Sequence, residues 1–278
     1  MAKKPSRSEG YTPESLELVR SVCLYVMTKL GDLSDEIVLV GGLVPSLLID
    51  RDQEAPHVGT TELDLGLALA LLDQERYREV SQRLRDAGFS PDANEDGQLT
   101  RQRWRIDEAT VDFLIPPADS SRRGGSIQNL EGDFAALVTP GLDLAFQDRE
   151  KRTLEGRTIR GEKAKRDIWV CGPGAFVVLK ALAFGNRGEN KDAYDLYYVM
   201  KNFGGRLSDV ASRLKPLLGA PEAQTTLQIL NRDFRDPDAV GPRRVAEFLT
   251  GGPDEAIQGD VVGLVVELVA ACDEGAKA

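Results

Sequence analysis

The segment HVGTTELDLGLAL, residues 57–69, sets Glu62 and Asp64 two apart in a run whose opposite parity holds Leu63, Leu65 and Leu67. Successive side chains of a strand point to opposite faces, so both carboxylates would project together while the leucines enter a core. A third acid, Asp112, sits in TVDFLI opposite the apolar set Val111, Phe113 and Ile115. Strands disfavour aspartate, which gives one in so apolar a run functional weight. If the two strands are neighbours, Glu62, Asp64 and Asp112 converge on one site. Three carboxylates are how a protein holds Mg2+ or Mn2+ while leaving coordination positions for substrate phosphates. The plainer reading is the solvated face of two half-buried strands.

Other chemistries find little to work with. His57 is the one histidine, so any triad, two-histidine zinc site or histidine relay would have to use it, and no GxSxG stands near. No P-loop sequence is present. Cys23, Cys171 and Cys272 are odd in number and far apart, which gives neither a disulfide framework nor a zinc signature. The N-terminal MAKKPSRSEG is polar and basic with no apolar signal core behind it. The greasiest run, Val261 to Cys272, is broken by Glu267 and is too short to span a bilayer. These features predict a cytoplasmic protein with no membrane partner.

A formal charge of −10 excludes a surface that is basic all over, so any nucleic-acid contact needs a local patch. Two patches stand out. Arg101, Arg103 and Arg105 alternate in RQRWR, and residues 149–166 hold eight lysines or arginines against three glutamates. Each reads either as solvated strand and loop or as a track for the phosphates of nucleotide or RNA.

Positioning the acids requires a sheet. Residues 11–30 predict a helix capped by Thr12, with Pro13 in its first turn and Leu16, Val19, Cys23 and Val26 at helical spacing. EIVLVGGLVPSLLI predicts a short strand (Ile37–Val40), a Gly41-Gly42 turn and a helix, with a connecting segment before the acidic strand. Residues 73–87 predict an amphipathic helix closed by Gly88, and QLTRQRWRIDEATVDFLIPP predicts a hairpin turning at Asp107–Ala109. Further strands are expected within 127–171. After Gly172-Pro173 the pattern turns helical, over about 173–185, 190–202, 206–218, 221–231, 242–249 and 254–272. The fold class read from this order is α+β: a mixed β-sheet with flanking helices over 1–170, followed by a helical C-terminal part over 171–278.

That order (strand, Gly-Gly turn, helix, T-x-acid-hydrophobic-Asp strand, then a lone Asp on a later strand) resembles the nucleotidyltransferase fold of the polymerase-beta superfamily. VVLKALAFGNRGENKDAYDLYYVM, residues 177–200, resembles the K…R…KDxxDL stretch of the AbiEii-like nucleotidyltransferases, which include toxins of type IV toxin–antitoxin systems. The matched motifs span about 37–200, roughly the first two-thirds. The resemblance implies that Gly41 and Gly42 form the turn touching the nucleotide phosphates, and that Thr60 is the small hydroxyl residue before the acids. It implies that Glu62, Asp64 and Asp112 bind the metal, with Asp112 also serving as general base, and that Lys180 lies near the triphosphate. Arg187, Lys191, Asp192 and Asp195 match the helical signature. The implied activity moves NMP from an NTP to an RNA (such as tRNA) or protein acceptor, with Mg2+ or Mn2+, and a cognate antitoxin as partner.

The chain departs from that pattern at one acid, since the first of the pair is aspartate in the subfamily and here it is Glu62. One extra methylene moves the carboxylate by a bond length, and Mg2+ is strict about octahedral geometry. Glutamate still ligates if the backbone retreats, which leaves an active site, a retuned one, or a nucleotide- or partner-binding module without turnover. A small-molecule acceptor fits an acidic protein about as well as RNA does. Plainer readings also stand for the other residues: Gly41-Gly42 as a tight turn, Lys180 as a snorkelling edge residue, and Asp192 and Asp195 as ion-pair partners of Lys191 and Arg187. His57 reads as a loop residue.

Overall fold

Burial alternates along Ala109–Ile115: Ala109, Val111, Phe113 and Ile115 are buried, while Thr110, Asp112 and Leu114 take the other face. This strand lies inside a nine-stranded mixed sheet. The computed structural model describes residues 5–49, 56–68, 74–94, 96–118 and 124–275. Part of the expected connecting segment, residues 50–55, lies outside the described residues.

The elements run α1 (Pro13–Leu30), β1 (Ile37–Val40), α2 (Pro45–Leu48), β2 (Leu63–Leu67), α3 (Gln74–Asp86), β3 (Ser90–Ala93), β4 (Leu99–Ile106) and β5 (Ala109–Ile115). They continue with β6 (Ile127–Glu131), β7 (Phe134–Val138), α4 (Leu142–Gln147), β8 (Arg149–Arg157) and β9 (Lys163–Cys171). Then come α5 (Pro173–Arg187), α6 (Asn190–Asn202), α7 (Leu207–Leu214), α8 (Pro221–Asp233), α9 (Val240–Thr250) and α10 (Glu255–Gly275). None of the described helices is long and apolar enough to cross a membrane. The three cysteines are buried, and none is in a disulfide among the described residues.

Two compact units divide the chain. The first, Thr12–Val44 with Gly59–Cys171, carries the whole sheet in the order β3-β4-β5-β2-β1-β9-β8, with β7 joined to the end of β5 and β6 to β7. Strand β1 runs antiparallel to β2 and parallel to β9, and β2 runs parallel to β5. The helix α1 starts as its sequence dictates, with Thr12 and Ser15 exchanging side-chain and backbone hydrogen bonds and Pro13 in the first turn. It packs on β8, β9, β2 and β5. On the face of β5 opposite Asp112, the Phe113 and Phe134 rings meet at 5.0 Å and Trp104 meets Phe134 at 5.7 Å. This aromatic core fixes β5 against its neighbours β4 and β7.

One strand went unread in the sequence. The exposed edge strand β3 contains Pro91 and Asp92, residues that strands disfavour and that edges tolerate.

The second unit is helical: Gly172–Ala278 together with Pro5–Tyr11 and Pro45–Val58. The last two pieces stand in the N-terminal half of the sequence. Tyr11 joins this unit by packing on Phe248, which in turn meets Tyr194. Within it α5 packs against α6, α7 and α8, and α6 against α9.

Candidate metal centre

Asp64 on β2 and Asp112 on β5 are register partners across a parallel pair, so their carboxylates stand side by side on one face. Glu62 precedes β2 by one residue and keeps the parity of Asp64. One carboxylate oxygen from each of the three acids lies within 4.8 Å of the other two. The Glu62 side chain is 12% exposed and that of Asp112 17%, so neither belongs to a freely solvated surface.

Two neighbours shape the acids from the backbone side. The Thr60 hydroxyl donates to the Glu62 carbonyl at 3.2 Å and accepts from the Glu62 amide at 3.4 Å, a small side-chain turn that sets the entry to β2. Gly41 has φ +73, and a Cβ there would fall 1.9 Å from Asp64 Oδ2. A glycine at 41 is thus demanded twice, by a left-handed backbone and by the carboxylate lying on it. Gly42 follows it, buried in the same one-turn 3-10 helix.

Arg103 completes the cluster. Strands β4 and β5 pair around the two residues Asp107 and Glu108, and that register places Arg103 opposite Asp112. Its Nε donates to Asp112 Oδ1 at 2.6 Å, and its Nη2 donates to Asp112 Oδ2 at 2.5 Å and to Glu62 Oε2 at 2.9 Å. The hydrogen bonds to Asp112, with the charges of Asp112, Glu62 and Asp64, hold the guanidinium pKa well above its ordinary value against the opposing effect of burial. Of the three arginines that alternate on β4, Arg101 and Arg105 are exposed and Arg103 is turned to the acids.

The donor set suits a hard divalent cation. Ligands around an octahedral Mg2+ are separated by at most about 4.2 Å, and around a larger ion such as Ca2+ by about 5 Å. The three oxygens lie within 4.8 Å of one another, inside the span of the larger ion. The glycine at 41, whose missing Cβ makes room for an Asp64 oxygen, is a further sign that the carboxylate is meant to sit there.

The remaining candidates form a second cluster, built wholly within the helical unit. Lys180 Nζ on α5 lies 3.1 Å from Asp192 Oδ1 and 2.7 Å from Asp195 Oδ2, both on α6. Arg187 Nε and Nη2 donate to the two oxygens of Asp192 at 2.6 and 2.9 Å. Lys191 pairs with Asp195 one helical turn away. Asp195 also accepts from His57 Nε2 at 2.8 Å, and the His57 ring packs against those of Tyr194 and Tyr198.

Burial pushes the Asp195 carboxyl up, but Lys180 and Lys191 outweigh it and hold the group far below the usual carboxylate range. Asp192 is likewise held low by Lys180 and Arg187 against its burial. Lys180 stays above its ordinary value because Asp195 and Asp192 overcome desolvation, whereas Lys191 falls below its own through burial and the nearby Lys180. Burial, then Lys191, push His57 down to about 4, so at neutral pH it is uncharged and carries its proton on Nε2 toward Asp195.

The structure therefore sorts the sequence candidates into two sets. Gly41, Gly42, Thr60, Glu62, Asp64 and Asp112 belong to the sheet unit, and Lys180, Arg187, Lys191, Asp192 and Asp195 to the helical unit. Lys180 is no snorkelling edge residue, being buried on two carboxylates. Two members escaped the sequence reading. Arg103 was legible in principle, because a hairpin with two turn residues at 107 and 108 pairs 103 with 112. His57, read as a loop residue, is buried, and nothing near it in the sequence signals Asp195. Neither a protein-family model nor a curated protein matches the chain.

Proposed function

We propose that this chain is a metal-dependent nucleotidyltransferase of the polymerase-beta type, AbiEii-like, that moves NMP from an NTP to an acceptor. The observation that carries the reading is the paired placement of Asp64 and Asp112 on adjacent parallel strands, with Glu62 beside them and the Gly41 turn against Asp64. Glu62, Asp64 and Asp112 would hold Mg2+ or Mn2+, which supplies charge compensation for the phosphates and a lowered barrier to attack at phosphorus.

The chain's own residues do the rest. Glu62 and Asp64 orient the site through the Thr60 turn and the Gly41 backbone. Asp112, once one of its oxygens is released by Arg103, is placed to take a proton from an acceptor hydroxyl. Lys180 and the KDxxDL acids enter only through the resemblance, in which the lysine serves the triphosphate.

An RNA acceptor such as tRNA is supported by strand register. The Asp64 face passes through Val40 on β1 and Cys171 on β9 to Arg149 on β8. Lys151, Arg157, Lys163, Lys165 and Trp169 follow on that same face, with Arg149 and Lys151 held over the Trp169 ring. Excess cation beside an acidic catalytic cluster suits a phosphate backbone. In this reading the protein works in the cytoplasm, as a toxin restrained by an antitoxin.

A second reading, a nucleotide- or partner-binding module without turnover, is favoured by the Arg103 fork, which already gives the acids a cation. Pyrophosphate release separates the two. With each of the four NTPs, Mg2+ or Mn2+, and total cellular RNA, protein or metabolites as acceptor, the enzyme reading expects metal-dependent release that Asp64→Asn abolishes. No release under any of these conditions selects the binding module.

A further inference from the structure

We infer that Arg103 is an exchangeable counter-cation of the acid cluster: it holds the carboxylates in place until a divalent ion enters, and then passes to the triphosphate. The inference rests on the metal-centre reading above and adds to it a residue that the motif resemblance does not include.

The geometry argues the first half. Arg103 spends two hydrogen bonds on both oxygens of Asp112 and a third on Glu62, so it draws on the oxygens a cation needs. A guanidinium and a divalent ion repel one another, and at a few ångströms in a partly buried site that repulsion is weakly screened. Metal entry and the full fork are therefore in competition. Arg103 therefore offsets part of the repulsion among three like-charged carboxylates gathered on one face.

The second half follows from guanidinium chemistry. A fork that matches a carboxylate also matches a phosphate, because both offer two oxygens in a plane. Arg103 sits on β4 directly opposite Asp112, so a phosphate bound beside that carboxylate would lie within reach of the guanidinium. Arg101, two residues along on the same strand face, is exposed and lies within about 7 Å along the strand. A polyphosphate bound there would meet both.

The test measures two affinities in the full-length protein. Mn2+ alone is titrated by electron paramagnetic resonance, and Mg-tripolyphosphate, which carries the triphosphate without a base, is titrated by calorimetry. Arg103→Gln should bind Mn2+ at least tenfold tighter than the natural protein and Mg-tripolyphosphate at least tenfold weaker. Arg103→Lys, which keeps the charge but cannot fork Asp112 and Glu62 together, should shift both affinities the same way by less. It carries the test if the glutamine variant does not fold.

A merely structural arginine predicts something else. Removing its charge would strengthen binding of the metal and leave binding of the phosphate equal or tighter, and that result overturns the exchange. Unchanged Mn2+ affinity in a folded variant overturns it too, while leaving the metal centre standing if Asp64→Asn abolishes Mn2+ binding. No Mn2+ bound by the natural protein or by either variant removes the metal centre and the exchange together.

Discussion

The Asp64 carboxylate lies so close to the Gly41 backbone that a methyl group on residue 41 would stand 1.9 Å from Oδ2. Gly41→Ala therefore combines a left-handed backbone, worth about 1–2 kcal/mol for a residue with a Cβ, with a displaced carboxylate. We expect reduced stability in urea unfolding and at least a tenfold loss of Mn2+ affinity. Loss of stability with unchanged Mn2+ affinity would show that the glycine serves the turn alone.

Asp112→Ala removes the partner of two Arg103 hydrogen bonds and leaves a guanidinium only 15% exposed. Hydrogen bonds to charged groups are each worth about 1.5–3 kcal/mol, and the remaining contact to Glu62 compensates in part. A loss of about 1–3 kcal/mol in denaturant unfolding is expected. Arg101→Ala, at an exposed position on the same strand face, should stay within about 0.5 kcal/mol.

His57 gives the helical unit a pH dependence whose sign is fixed by its lowered pKa of about 4. Between that value and the ordinary 6.5 the unfolded chain binds a proton that the folded protein refuses, so stability rises with pH across this window. The groups around the ring, Asp195, Lys191, Lys180, Tyr194 and Tyr198, oppose one another, and burial with Lys191 outweighs Asp195. On acidification from pH 7 to 4 about 3 kcal/mol should be lost from this group. His57→Gln should flatten that part of the profile in denaturant titrations at stepped pH. Asp195 and Asp192 act lower: their stability is present above the ordinary carboxylate pKa and lost below it.

The second cluster sets three cations, Lys180, Arg187 and Lys191, against Asp192 and Asp195. Removing an anion therefore costs more than removing a cation. Asp195→Asn leaves Lys180 and Lys191 buried without their shared carboxylate and should lose about 3–5 kcal/mol. Lys180→Met, which keeps length and packing, should lose clearly less. Equal losses in thermal and urea unfolding would contradict the charge balance described here.

The legible part of the fold was that governed by side-chain alternation and capping. Leu63, Leu65 and Leu67 against Asp64, and Val111, Phe113 and Ile115 against Asp112, place the acids on one face whatever else the chain does. The register that sets Asp64 beside Asp112 depends on a parallel pairing between distant strands, which no local pattern encodes. Arg103 read as solvated strand or as part of a phosphate track, because an arginine at alternate spacing looks the same whether it faces water, a phosphate or a carboxylate. The burial of His57 comes from its packing on α6, against Tyr194, Asp195 and Tyr198, and that long-range contact leaves no trace in the residues around it.

The central claim, that the Glu62, Asp64 and Asp112 cluster serves transfer of a nucleotidyl group, is tested most directly by following the α-phosphate. The full-length protein is incubated with Mg2+ or Mn2+, total cellular RNA, protein or metabolites, and each NTP labelled at either the α or the γ position. The account predicts α label on one acceptor class for at least one NTP, no γ label on any, and loss of transfer in Asp64→Asn. Absence of α label in every combination, or label that persists in Asp64→Asn, would contradict it.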